Sequence, residues 1–199
     1  MLDGFQYLPE YLNRQAQEEL VDDIRNHMKN NPFFTPRMPR SNNPFSVKMT
    51  NFGELGWVSD GTGYRYEKTH PTTKKTWPSI PRPLMSIWED ISQYKNPPHA
   101  CLVNYYNSGA KMGLHVDNDE EDLAAPVVSI SLGDTARFRI GGLNRKDPTQ
   151  SFKLHSGDVV VLGGQSRLAY HGIDHIYGGS STLLKKGGRL NLTLRRVNV

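Results

Sequence analysis

The stretch "GLHVDNDEED", residues 113–122, sets His115 two residues before Asp117 and gathers five carboxylates between positions 117 and 122, in a chain of net charge +4. Side chains at i and i+2 of an extended chain leave the same face, with roots about 7 Å apart. An imidazole nitrogen of His115 and a carboxylate oxygen of Asp117 can therefore converge on one cation. Two ligands hold a metal weakly, so a third is required. His171, in "LAYHGIDH", follows an apolar strand candidate and precedes Gly172. His175 shares its strand parity, and His27, His70, His99 and His155 are further candidates. Local spacing does not choose among them.

The last strand candidate supplies a second piece of chemistry. In "RLNLTLRR", Leu190, Leu192 and Leu194 alternate with Arg189, Asn191, Thr193 and Arg195. A strand near the end of a domain ordinarily turns such a polar face to water. The polar face also has useful geometry, because Arg189 and Arg195 lie roughly 20 Å apart along a strand. If they reach toward each other they leave a gap of roughly 6–8 Å, which suits a short dicarboxylic acid held between two guanidinium forks. Asn104 and Tyr106, a same-face pair in "NYY", can hydrogen-bond the same ligand. Two histidines and a carboxylate with open positions opposite is the arrangement of non-haem Fe(II) oxygenases.

These residues need a scaffold. The chain has 199 residues, 36% hydrophobic and 22% charged, enough for one well-packed domain. No apolar run is long enough to cross a bilayer as a helix, and "MLDGFQYLPEYLN" lacks the pattern of a secretory signal. The single cysteine, Cys101, sits in "ACLVNYY" and reads as core, so a reducing compartment, the cytosol or a nucleus, is expected. Residues 13–30 read as a helix capped by Asn13, and "PRPLMSIWEDISQY" as a second, ended before Pro97 and Pro98. From residue 100 onward, short strand candidates follow one another: 101–106, 113–117, 126–132, 136–140, 151–154, 158–162, 168–171 and 189–197. Many short strands with Gly-rich turns make a sandwich, barrel or jelly roll. The fold class is therefore α+β, with helices first and an antiparallel β-core after them.

Charge is unevenly spread. Residues 1–30 carry three basic and six acidic side chains, net −3, whereas residues 31–82 carry eight basic and three acidic, net +5. The second stretch also holds Phe33, Phe34, Phe45, Phe52, Trp57, Tyr64, Tyr66 and Trp77. Basic groups interleaved with aromatics suit a surface that neutralises phosphates and stacks bases. A solvated face over a small aromatic core would look the same.

Three segments, "CLVNYYNSGAKMGLHVDNDEEDLAAPVVSISLGDTARFRIGG", "GDVVVLGGQSRLAYHGI" and "RLNLTLRR", together resemble the AlkB family of Fe(II)/2-oxoglutarate-dependent nucleic-acid dealkylases. The upstream "SVKMTNFGELGWVSDGTGYRY" resembles that family's nucleotide-recognition lid. The likeness runs from about residue 5 to residue 196. It implies a double-stranded β-helix, or jelly-roll, core (residues 83–199, with the second helix), an N-terminal helical extension (1–35) and a lid (36–82), all in one domain. It implies His115, Asp117 and His171 as iron ligands. Arg189, Asn191 and Arg195, with Asn104 and Tyr106, would contact 2-oxoglutarate. Asp119 would lie near the target base, Trp57 against it, Tyr64 toward the backbone, and Arg145 would reach the substrate pocket. Lys111 and Ser46 would contact the nucleic-acid backbone.

The implied cofactors are Fe(II), 2-oxoglutarate and O2. The implied reaction is oxidative removal of N-alkyl groups, as from 1-methyladenine or 3-methylcytosine, in DNA or RNA, by a monomer with no obligate protein partner. The alternatives are an oxygenase acting on tRNA or on a protein side chain, and a nucleic-acid-binding module without turnover. Of the five carboxylates, Asp117 is expected to bind metal and Asp119 to face the base. Glu120, Glu121 and Asp122 are expected to form a solvated rim.

Overall fold

The computed structural model describes residues 2–199. Two antiparallel sheets face each other. The larger contains, in spatial order, β1 (Phe5–Leu8), β10 (Val159–Leu162), β7 (Val127–Gly133), β12 (Arg189–Arg195), β5 (Ala100–Tyr106) and β2 (Lys48–Gly53). The smaller runs β6 (Met112–His115), β11 (His171–Tyr177), β8 (Thr135–Ile140) and β9 (Gln150–Leu154). A separate hairpin pairs β3 (Gly56–Asp60) with β4 (Gly63–Glu67). The α+β jelly-roll expectation holds.

Two helices cover the outside of the larger sheet. In α1 (Arg14–His27) the Asn13 side chain accepts the Ala16 N–H at 2.9 Å, closing the first turn, and Leu20, Val21 and Ile24 are buried. In α2 (Arg82–Ile91) proline sits in the first turn, where no N–H is needed, and Leu84, Ile87 and Trp88 are buried. These six side chains form one apolar cluster with Phe52, Val103, Val128, Leu190, Leu192 and Leu194. A second cluster, including Met49, Leu102, Phe138, Ile140, Leu162 and Ile173, fills the space between the sheets.

β12 lies between β7 and β5, and all seven of its residues are buried. Its leucines belong to the helix side, which sends Arg189, Asn191, Thr193 and Arg195 into the gap between the sheets rather than to water. Cys101 is wholly buried, and burial pushes its thiol up, in keeping with a core role.

Some boundaries differ from expectation. The first 35 residues are not purely helical, because β1 completes the edge of the larger sheet against β10. The segment 36–82 is not wholly a lid either, since β2 pairs with β5 along its length inside that sheet. The expected strand at 168–171 is instead a 3₁₀ turn (Gly164–Leu168) leading into β11, which starts at His171. The strand expected over 113–117 ends at His115. Gly172 is required where it stands, for a Cβ there would lie 2.6 Å from the Met112 carbonyl oxygen of the neighbouring strand.

Leu192 is fully buried at the centre of the larger sheet. Leu192→Ala should cost about 2–5 kcal/mol of unfolding free energy, read from denaturant melts. A loss below about 1 kcal/mol would contradict its place in a close-packed layer.

Candidate metal and substrate site

His115 at the end of β6 lies directly opposite His171 at the start of β11, and Asp117 sits two residues past the strand end. One ligand atom from each of the three comes within 4.8 Å of the others. His115 Nε2 stands 3.8 Å from one Asp117 oxygen, and His171 Nε2 stands 3.9 Å from the other. His115 Nδ1 donates to the Gly113 carbonyl at 2.9 Å, and His171 Nδ1 to the Ala169 carbonyl at 2.9 Å. A carbonyl only accepts, so both rings carry the Nδ1 proton and turn the Nε2 lone pair inward. Burial, then the neighbouring His115, pushes His171 down to about 4, so it stays neutral and its Nε2 is free to bind a cation. At Asp117 burial works toward protonation, but Arg195 and the two histidines outweigh it and hold the carboxyl well below its usual range. Two imidazole Nε2 atoms and an ionised carboxylate, converging beside a cavity, fit a divalent cation that keeps open positions.

The other histidines are elsewhere. A register shift between Ile173 and His175 breaks the parity, and His175 is exposed against Tyr177. His70 is buried but bonds the Pro32 carbonyl and the Thr72 and Thr73 amides. His27 bonds the Asp23 carbonyl, His99 meets Arg196 and Val197, and His155 meets Thr135.

The triad borders a cavity of ≈ 210 Å³ between the sheets. Arg189 lies on its wall, 1% exposed, with its guanidinium 5.3 Å from the Tyr106 ring centroid. One nitrogen donates to Ser131 Oγ at 3.0 Å, while Nε and Nη1 have no partner among the described residues. No carboxylate of the described residues pairs with it, and burial lowers its pKa. A buried cation with two idle donors is costly unless an anion joins it, and a ligand carboxylate supplies one. Asn104, whose amide oxygen is also unpartnered, borders the same space. Asn191 is occupied by Ser129 Oγ at 2.8 Å and the Ile130 carbonyl at 3.0 Å.

Arg195 is not the free second fork that spacing suggested. It donates to Asp117 Oδ2 at 2.8 Å and reaches Glu120 at 3.5 Å. Arg195 spends Nε and Nη2 on Asp117, whereas the buried Nε and Nη1 of Arg189 have no partner among the described residues.

At the cavity mouth the Trp57 indole N–H donates to Asp119 at 2.8 Å. Tyr64, half exposed, stacks on Trp57 at 5.5 Å and 22°, and Phe45 meets Trp57 edge-on. Asn51 holds the Trp57 backbone at both its N–H (3.0 Å) and its C=O (3.1 Å). Asp119 is exposed and reaches the mouth from the loop after β6. Arg145 is exposed, lies over the Tyr170 ring at 6.0 Å and does not line the cavity. Ser46 and Lys111 hold each other through Ser46 Oγ to the Lys111 carbonyl (2.9 Å) and the Lys111 amide to Ser46 Oγ (3.1 Å), also outside the lining.

The acidic run is not a rim. Glu120 and Asp122 are 6% and 5% exposed, and only Glu121 of that trio faces water. Glu120 pairs with Arg167 at 2.9 Å, and Asp122 with Arg196 at 3.3 Å and the Tyr94 hydroxyl at 2.9 Å. From the sequence Arg167 has no assigned role, Glu120 reads as rim and Tyr66 as one of the aromatics of residues 31–82. The one signal was a charged Arg167 inside the otherwise weakly polar "VVVLGGQSRLAYHG".

Comparisons with known proteins agree with this geometry. Residues 4–195 match the family described as the 2OG-Fe(II) oxygenase superfamily. The chain is 51% identical over 196 residues to an alpha-ketoglutarate-dependent dioxygenase AlkB homolog of Caulobacter vibrioides, covering 98% of this chain and 89% of that one. It is 43% identical over 185 residues to the alpha-ketoglutarate-dependent dioxygenase AlkB of Escherichia coli, covering 91% and 85%. The solved structure of OsALKBH1 superposes with a TM-score of 0.86 at 31% identity, covering 98% of each chain.

A cation held by this triad stabilises the folded chain by mass action. At about 100 times its dissociation constant, Co(II) should add about 2.7 kcal/mol, seen as a higher melting temperature. The rise should vanish in His171→Ala, and an equal rise in that variant would place the cation elsewhere.

Proposed function

The chain belongs to the 2OG-Fe(II) oxygenase superfamily and, within it, to the AlkB family, and on that premise we propose that it removes N-methyl groups from cationic alkylated bases such as 1-methyladenine and 3-methylcytosine in DNA or RNA. One observation carries this reading. The His115–Asp117–His171 triad, an Arg189 with idle donors, and the Trp57–Asp119 pair all border one cavity.

His115 and His171, through Nε2, and Asp117 would hold Fe(II). Bound Fe(II), with 2-oxoglutarate and O2, supplies the oxidation that turns N–CH3 into N–CH2OH, releasing succinate and CO2, after which formaldehyde leaves the base. Arg189, whose guanidinium lies over the Tyr106 ring, would receive a carboxylate of 2-oxoglutarate on its two idle donors. Asn104 can turn its amide NH2 toward the same group. Asn191 and Arg195 complete that wall, Asn191 fixed by Ser129 and Arg195 by Asp117.

A base alkylated on a Watson–Crick nitrogen is positively charged. The Asp119 carboxylate about 4 Å from it favours the cation by about 1 kcal/mol in open water and about 4 kcal/mol at an effective dielectric near 20. The exposed Asp119 gains selectivity as the base and the hairpin exclude water from it. Trp57 adds stacking and cation–π attraction of roughly 1–2 kcal/mol. The β3–β4 hairpin serves as the recognition lid, with Tyr64 at its outer edge toward the backbone. Arg145, Lys111 and Ser46 stand outside the cavity, where flanking phosphates would pass. The target atom is out of reach inside a duplex, so the base must be flipped or offered on a single strand.

The test is mass-spectrometric tracking of methyl loss from methylated single-stranded DNA and RNA oligonucleotides, with succinate measured in parallel. Methyl loss in wild type and none in His171→Ala is expected. Succinate release that ignores every oligonucleotide would favour another substrate. In Asp119→Asn, the preference for 3-methylcytosine over a neutral methylated base should fall about tenfold or more, as the loss of about 1.4 kcal/mol or more of charge attraction requires. An unchanged preference would defeat charge selection by Asp119.

A further inference from the structure

Glu120 is buried, borders the cavity, and is met from three directions. One oxygen accepts from the Tyr66 hydroxyl of β4 and lies 3.5 Å from Arg195. The other accepts from Arg167 at 2.9 Å. Arg167, 2% exposed, spends its remaining donors on the Asp117 carbonyl and the Ala125 carbonyl, the latter at 2.9 Å. It therefore sets the backbone at the metal-ligand carboxylate and at the far end of the same loop. Arg167 also belongs to the 3₁₀ turn that precedes Ala169, whose carbonyl orients His171.

The hairpin is fastened to this loop at two consecutive acids. Trp57 and Tyr66 are directly paired across β3 and β4. The Trp57 indole holds Asp119, and the Tyr66 hydroxyl holds Glu120. Burial raises the Tyr66 hydroxyl well above its ordinary pKa, so it remains a donor. A chain of contacts therefore runs from the hairpin through Glu120 to the two arginines that hold Asp117.

We infer that Glu120 is a positioning residue that couples the recognition hairpin to the metal site, through Tyr66 on one side and Arg167 and Arg195 on the other. Two acids, Asp117 and Glu120, balance two buried arginines, Arg167 and Arg195. Neutralising Glu120 leaves an uncompensated guanidinium beside the cation site and frees the loop. Partners that orient metal ligands typically govern affinity and geometry in this way.

The inference rests on the iron-site part of the proposed function, and Co(II) binding by wild type but not by His171→Ala checks that part separately, without nucleic acid. The experiment is titration of the full chain with Co(II), following the visible absorption spectrum, in Glu120→Gln and Tyr66→Phe. Glu120→Gln should weaken Co(II) binding about tenfold and shift the spectrum. Tyr66→Phe removes one hydroxyl that does not border the cavity. It should weaken Co(II) binding about fivefold, as a coupled site requires. Should Glu120→Gln fail to fold, Tyr66→Phe decides alone. Lower thermal stability with unchanged Co(II) affinity and spectrum would make these contacts merely structural and overturn the inference. A change in Glu120→Gln with none in Tyr66→Phe would overturn the link to the hairpin.

Discussion

Charge buried between two sheets must be answered by charge, and the site is organised around that constraint. β12 sends its leucines to the helices and its polar side chains inward, which buries Arg189 and Arg195 between the sheets. Each must find an anion. Arg195 finds one inside the chain, at Asp117, with Glu120 close by. Arg189 finds none among the described residues, and two of its donors stay idle. The same strand thus produces a settled ion pair that fixes a metal ligand and an unsettled cation that calls for a ligand carboxylate. Burial works against the charge on Arg195, but Asp117 and Glu120 more than offset it, so the pair stays ionised. Removing one partner of such a pair typically costs about 3–5 kcal/mol.

Around this pair the scaffold leaves little freedom. His115 and His171 face each other across two paired strands, and backbone carbonyls two residues before each ring fix its tautomer. Gly172 permits the close approach of those strands. The recognition side is built differently. Trp57 and Tyr64 ride on a two-stranded hairpin outside both main sheets, anchored near its open end by Asn51 on the Trp57 backbone and by the contacts of Trp57 to Asp119 and Tyr66 to Glu120. A rigid metal site and a hairpin joined to it by a few hydrogen bonds suit a reaction in which the base must enter and leave.

Much of this was legible in the sequence. The HxD spacing marks two ligands because strand geometry is local, and the alternation of "RLNLTLRR" marks a buried strand once its polar face has a partner. Asn13 and the proline in the first turn of α2 mark helix starts because end effects are local as well. What was not legible depends on distant partners. Glu120 and Asp122 read as solvent-facing until Arg167 and Arg196, more than forty residues away in sequence, are brought against them. His175 shares parity with His171 on an ideal strand, and only a bulge separates them. β1 and β2 escaped the expected partition because a strand's place is decided by its neighbours, β10 and β5. The split roles of Arg189 and Arg195 likewise follow from where Asp117 lies.

The most direct measurement is anaerobic addition of Fe(II) and 2-oxoglutarate to the chain, following the visible charge-transfer band of 2-oxoglutarate chelated to iron. The band should appear only when both are present and saturate at a single iron per chain. It should be lost in Asp117→Ala and should demand far more 2-oxoglutarate in Arg189→Met. A full band in Asp117→Ala, or an unchanged requirement for 2-oxoglutarate in Arg189→Met, would contradict the roles drawn here for the settled and the unsettled charge.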